Sequence, residues 1–145
     1  MTDGRALERA ADLLRERLGD RLSIDRPLAP LTTYRVGGSA ALFVNARSVD
    51  DLIAAAEARA RTGVAVLTVG RGSNMLVADD GFAGVALSVS ELASGIDIHA
   101  ADQPEQPEVG TPVEVVAGGG AALPVVARRT AAAGVRGFEW AVGVP

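Results

Sequence analysis

Two glycine-rich runs hold the residue types best suited to chemistry. The first is Gly70-Arg71-Gly72-Ser73-Asn74-Met75-Leu76. Glycine lets backbone N–H groups come close to an anion, and successive N–H groups in a turn form an anion-binding nest. Ser73 and Asn74 add side-chain donors and Arg71 adds positive charge, a set that suits a pyrophosphate. The competing structural reading is a tight turn in which Ser73 and Asn74 satisfy their own backbone. Neither common phosphate motif is present. A Rossmann fingerprint needs a third glycine where Met75 stands, followed directly by a helix, and Walker A needs a lysine, which the chain lacks.

The second run, Gly118-Gly119-Gly120, either lets a flat ring lie against bare backbone or serves as a flexible strand-to-helix joint. Arg35, within Tyr34-Arg35-Val36-Gly37-Gly38, has the charge and reach for a phosphate, although a lone arginine more often covers surface. His99 reads more readily as an exposed structural residue than as a base or ligand. Glu139, beside Trp140, reads more readily as a capping or arginine-paired acid than as a buried one.

Composition narrows the chemistry further. A chain of 145 residues, 48% hydrophobic and 22% charged, suits one domain able to hold its own core. With no cysteine there is no disulfide, thiolate nucleophile or zinc–sulfur site. A single histidine removes His-cluster metal sites, and any Ser-His-Asp triad would have to use it. The net charge of −4, with three Phe, one Trp and one Tyr, argues against a nucleic-acid binder. The longest uncharged, mostly apolar stretch, residues 115–127, is broken by three glycines and a proline and falls short of the ~18 residues of a membrane span. No basic-then-apolar leader opens the chain, so a cytoplasmic domain away from membranes is expected. Chemistry borrowed from a cofactor stays open, because the protein then mainly binds and orients.

The elements that must position these groups follow from periodicity. Leu7, Ala10, Ala11, Leu14 and Leu18 recur at helical spacing behind Thr2 or Asp3, which predicts an amphipathic scaffold helix stopped by Gly19. Residues 25–31, with Pro27 and Pro30, read as an extended or turned connection. Residues 41–46 read as a short buried strand, and Ser48-Val49-Asp50-Asp51 as a capping box opening a helix that Gly63 ends. A second strand follows at 64–69. Strand, helix, strand is a βαβ unit with parallel strands, and ligands tend to sit beyond the carboxyl ends, where Gly70 begins. Asp79-Asp80-Gly81 signals a turn before a third strand at 85–89. Residues 96–100 and 113–117 read as an antiparallel pair across the polar, proline-punctuated segment 102–108. A last helix starts near Leu123, with Pro124 in its first turn, and ends at Gly134.

Thr32-Thr33-Tyr34-Arg35-Val36-Gly37-Gly38, the βαβ unit, the 70–76 loop and Gly137-Phe138-Glu139-Trp140-Ala141-Val142-Gly143-Val144-Pro145 occur in that order. Together they resemble the N-terminal, FAD-binding part of the UDP-N-acetylenolpyruvoylglucosamine reductase family, from about Leu28 to the last residue. The Gly-x-Gly-Ser-Asn loop alone is shared with other flavoproteins of the vanillyl-alcohol-oxidase type. The Arg-Val-Gly-Gly entry and the Gly-x-Pro ending make the match more specific. The resemblance implies an α+β, vanillyl-alcohol-oxidase (PCMH-type) FAD-binding fold, with a βαβ lobe followed by a β-hairpin-plus-helix lobe. It divides the chain into an N-terminal helix and linker, residues 1–27, and an FAD-binding domain, residues 28–145. That domain is expected to be incomplete at its C-terminus, with the substrate domain absent.

The resemblance also implies roles. Gly70, Arg71, Gly72, Ser73, Asn74, Met75 and Leu76 would cradle the FAD pyrophosphate. Gly118, Gly119 and Gly120 would approach the cofactor from the other lobe, as would Gly143, Val144 and Pro145, near the flavin ring. Arg35 would be an additional contact. In the implied reaction NADPH passes a hydride to the flavin, and the reduced flavin passes one to the enolpyruvyl β-carbon of a UDP-sugar. An enzyme acid then protonates the adjacent carbon, giving UDP-N-acetylmuramate for peptidoglycan synthesis. The family's acid lies downstream of the Gly-x-Pro segment, so no catalytic residue and no metal site is expected in this chain. The full-length enzyme is expected to be a monomer. Two alternatives remain: another flavin oxidoreductase of the same superfamily, or a non-enzymatic nucleotide-binding module complete at this length.

Overall fold

The helical spacing near the N-terminus produces α1 (Gly4–Leu18), which buries Ala10, Ala11, Leu14 and Leu18 and turns its charged residues outward. This is a computed structural model, and it describes residues 4–99, 110 and 112–144. The chain divides into two units, Met1–Leu92 and Ala93–Pro145. In the first unit α1 packs against α2 (Val49–Thr62), and both contribute to one core. The predicted capping box is present. Ser48 Oγ accepts from the Asp51 N–H at 3.3 Å, and the Asp51 carboxylate accepts from the Ser48 N–H at 3.1 Å. Gly63 closes the helix in the left-handed conformation, and its N–H donates to the Arg59 carbonyl.

Asp51 does more than cap. It is almost fully buried, and it also accepts from the Arg47 N–H at 2.8 Å and pairs with the Arg21 guanidinium at 3.1 Å. Burial alone would raise its pKa. The hydrogen bonds from Arg47 and Ser48, with the Arg21 charge, outweigh that and hold the carboxyl below its ordinary range. One carboxylate thereby joins the end of the first helical segment to the start of α2.

Four strands form the sheet: β1 (Leu22–Pro27), β2 (Ser39–Asn45), β3 (Val66–Val69) and β4 (Phe82–Ser88), in spatial order β1-β2-β4-β3. The strands flanking α2 are parallel as expected, but β4 lies between them and pairs with both. The surprise is β1, which pairs antiparallel with β2 from Leu22 opposite Val44 to Pro27 opposite Ser39. It covers the first part of the segment read as a proline-held connection. As an edge strand it is exposed over its last four residues, so no apolar alternation marks it. Asp25, at φ +49, interrupts its ladder, and Pro27 stands at its end, where an edge strand tolerates a missing N–H.

The period-2 alternation of β2 and β4 divides the apolar side chains between two faces. Leu42, Val44, Val85 and Leu87 join α1 and α2 in the larger core. Phe43, Ala86 and Val69 face the other way, onto Leu28, Leu31, Met75 and Val77. The second face is therefore covered by two irregular segments, 28–38 and 70–81, rather than by helices.

In the second unit β5 (Ile96–Ile98) and β6 (Val115–Ala117) pair antiparallel, as the sequence predicts. The polar segment 102–108 lies outside the described residues. Then α3 (Leu123–Ala132) follows, with Pro124 in its first turn, burying Val126, Ala127 and Thr130. It packs against a 3-10 turn at Glu139–Gly143.

Candidate cofactor-binding site

The 70–76 loop leaves β3 at its carboxyl end, but it does not open a helix. It folds back over the second face of the sheet, where Met75 and Val77 join the smaller core, and leads into β4. Gly72 fixes its shape. The residue is buried at φ +77, and a Cβ there would lie 2.6 Å from the Leu31 carbonyl oxygen. The Met75 N–H donates to the Gly72 carbonyl at 3.1 Å, closing the turn, and Thr33 Oγ1 donates to the Ser73 carbonyl at 2.6 Å. Thr33 is thus a positioning residue that the loop's own composition did not reveal; only its place in the Thr-Thr-Tyr-Arg entry pointed to it.

The donor set fits a pyrophosphate. Among the described residues, no backbone carbonyl accepts from the N–H groups of Arg71, Gly72 or Asn74. Arg71 and Asn74 are exposed, and neither Arg71 nor Arg35 forms an ion pair among the described residues. Unspent N–H groups in a turn are the chemistry an anion-binding nest needs, and it does not require a helix terminus.

The entry segment is brought to this loop. A Cβ on Gly37, at φ +109, would lie 2.5 Å from the Val77 carbonyl oxygen, and one on Gly38 would lie 2.2 Å from that of Asp79. The Gly38 N–H donates to the Ala78 carbonyl at 2.9 Å. The paired glycines therefore allow backbone to cross backbone. Arg35 is held in the left-handed region at φ +54, exposed, with its N–H on the Thr32 carbonyl at 3.3 Å.

The remaining expected contacts belong to the second unit. Gly118 and Gly120 pack against the 93–95 segment. The Gly118 N–H donates to Gly95 at 2.9 Å and the Gly120 N–H to Ala93 at 2.7 Å, and a Cβ on Gly118 would lie 2.2 Å from the Ala93 oxygen. Gly119 alone is exposed with open space around it. Gly143 is likewise exposed and open, Val144 is half-buried with its N–H on the Ala141 carbonyl at 3.2 Å, and Pro145 lies outside the described residues.

The titratable candidates have structural partners. Glu139 accepts from the Gly137 N–H at 2.7 Å; hydrogen bonds from its own N–H and that of Gly137, with the Arg136 charge, hold its carboxyl below the ordinary range. His99 is exposed and its N–H serves the hairpin by donating to Glu114. A polar cluster at the carboxyl ends of β2 and β4 was not anticipated. Asn45 and Arg47 both donate to Glu91, at 2.6 and 3.0 Å, and Ser88 Oγ lies 2.9 Å from Ser90 Oγ. The Asn45 and Arg47 hydrogen bonds keep the Glu91 carboxyl ionised to lower pH. Among the described residues no group of acidic or histidine side chains forms a metal site, and no helix is long and apolar enough to cross a membrane.

Comparison with known proteins accords with this geometry. The family described as FAD binding domain matches residues 40–145. The chain is 37% identical over 121 residues to a UDP-N-acetylenolpyruvoylglucosamine reductase of Streptomyces avermitilis, covering 83% of the chain and 29% of that relative. Reductases of the same name from Synechococcus sp. (strain CC9605) and Parasynechococcus marenigrum are 40% and 35% identical, covering 81% and 92% of the chain. The chain spans 36% and 40% of those two relatives' lengths. It belongs to the FAD binding domain family, and it matches the portion of that family carried by UDP-N-acetylenolpyruvoylglucosamine reductases.

Proposed function

We propose that this chain is the FAD-binding part of an NADPH-dependent reductase that converts UDP-N-acetylglucosamine enolpyruvate to UDP-N-acetylmuramate. The observation that carries the reading is the 70–76 turn, held by Leu31 and Thr33 with N–H donors unspent, inside the stretch that matches the reductases. The N–H groups of Arg71, Gly72 and Asn74 hold the pyrophosphate, with the Arg71 and Arg35 guanidinium groups neutralising its charge. Ser73 and Asn74 side chains orient it. Within the second unit, Gly119 and Gly143 have the open surroundings that close approach of a ligand to bare backbone requires. When bound, FAD supplies hydride relay between NADPH and the enolpyruvyl double bond. The chain's own residues bind and orient, and we assign none of them the proton transfer. In this reading the partner is a UDP-sugar rather than nucleic acid or membrane, and the full-length enzyme is a cytoplasmic monomer serving peptidoglycan synthesis.

The test is to incubate the chain with excess FAD, desalt it and record its absorption spectrum. A flavin band that stays with the protein and is released on denaturation supports the reading. No retained flavin at any excess of FAD would count against a self-sufficient site, and flavin surviving denaturation would point to a covalent flavoprotein instead.

A further inference from the structure

Two contacts set the register between the entry segment and the glycine loop. Thr33 Oγ1 donates to the Ser73 carbonyl, and a Cβ on Gly37 would lie 2.6 Å from Val77 Cβ. Each pair is separated by 40 residues in sequence, so the two contacts bracket residues 34–36 on one segment and 74–76 on the other. Tyr34, Arg35 and Val36 thus lie between the two contacts on the entry segment, and Asn74, Met75 and Leu76 between them on the loop. Met75 packs against the smaller core. Its neighbours do not turn inward: Tyr34 is 75% exposed, Val36 46% and Leu76 80%. Large apolar side chains exposed together, rather than singly, mark a surface with a partner. Arg35 and Asn74 are the exposed charged and amide side chains of the two bracketed stretches. Arg35 also keeps a left-handed backbone that side-chain-bearing residues adopt only under constraint, which is the kind of strain found at ligand sites.

We propose that Tyr34, flanked by Val36 and Leu76, is a stacking platform for one of the two ring systems of the dinucleotide whose pyrophosphate the turn holds. The proposal rests on the FAD reading and adds to it the residues that receive a ring. A dinucleotide's rings each lie one short sugar or ribityl spacer from the phosphates, so a phosphate held by residues 71–74 brings a ring over the adjoining strip. An aromatic face with aliphatic flanks is the chemistry that receives a flat heterocycle, adenine or isoalloxazine. No hydrogen bond from the tyrosine hydroxyl is required.

The experiment titrates FAD, ADP and FMN against the unsubstituted chain, Tyr34→Ala and Tyr34→Phe, with thermal unfolding as a control that the exposed substitutions leave unchanged. Tyr34→Ala is expected to weaken FAD about tenfold, within the range for a base stacked on an aromatic side chain. Tyr34→Phe keeps the ring and is expected to stay within about twofold. The same loss for ADP identifies the stacked ring as adenine, and for FMN as isoalloxazine; either supports the platform. Equal affinity of Tyr34→Ala and the unsubstituted chain for all three ligands overturns the platform and leaves the FAD reading standing. A loss in Tyr34→Phe as large as in Tyr34→Ala places the effect in the hydroxyl and also overturns it. If the unsubstituted chain binds none of the three, the FAD reading and the platform fall together.

Discussion

Replacing Gly72 with alanine strikes the loop at the point where it touches the rest of the sheet. Two costs combine. A side chain at φ +77 enters a left-handed backbone that disfavours L-residues by about 1–2 kcal/mol. Its Cβ would also fall 2.6 Å from the Leu31 carbonyl oxygen, a rigid backbone atom, and forced displacement in a packed region costs about 1–3 kcal/mol. Their sum, about 2–5 kcal/mol, corresponds to a fall in Tm of roughly 10 °C for a chain of this size. Gly119→Ala is the matched comparison, because it makes the same change in the other glycine run with open space around it. It should shift stability by less than about 1 kcal/mol. The assay is thermal unfolding followed by far-ultraviolet circular dichroism on both variants. If Gly72→Ala melts within about 2 °C of the unsubstituted chain, the contact with Leu31 does not constrain the loop and the reasoning fails.

Three further expectations follow from the same geometry. Asp51→Ala should destabilise by about 2–4 kcal/mol, because it strips Arg21 and two N–H groups of a buried partner, as denaturant titration will show. Because the folded-state pKa of Asp51 is depressed, its contribution is present above the ordinary carboxylate range and is lost as pH falls through the folded value. Asp51→Asn should therefore flatten the acid limb of a stability–pH profile, and an unchanged limb would show that other carboxylates set it. Thr33→Val removes the hydroxyl from the Ser73 carbonyl and should cost about 0.5–1.5 kcal/mol while weakening FAD, measurable by paired unfolding and flavin titrations.

What the sequence made legible was local. The helix α2 was readable at both ends because its capping box and its terminal glycine are short-range signals that tertiary packing reinforces. The strand β1 was not, because an exposed edge strand carrying Asp25 and ending at Pro27 lacks the apolar alternation that announces strands. The parallel direction of β2 and β3 followed from the intervening helix, whereas the insertion of β4 between them is a long-range pairing that no local pattern encodes. The glycines divide in the same way. The composition of Gly70 to Asn74 admits an anion-binding nest or a self-satisfied tight turn, but the reason position 72 is glycine lies in Leu31, and the reasons at 37 and 38 lie in residues 77–79. The second run shows the reverse: two of its three glycines hold the 93–95 segment, which leaves Gly119 as the open one.

Calorimetric titration of FAD into the chain decides whether the 70–76 turn serves a dinucleotide. A saturable isotherm with one FAD per chain, weakened in Thr33→Val, is the expected result. Absence of any saturable heat with the unsubstituted chain, while it remains folded by circular dichroism, would contradict it.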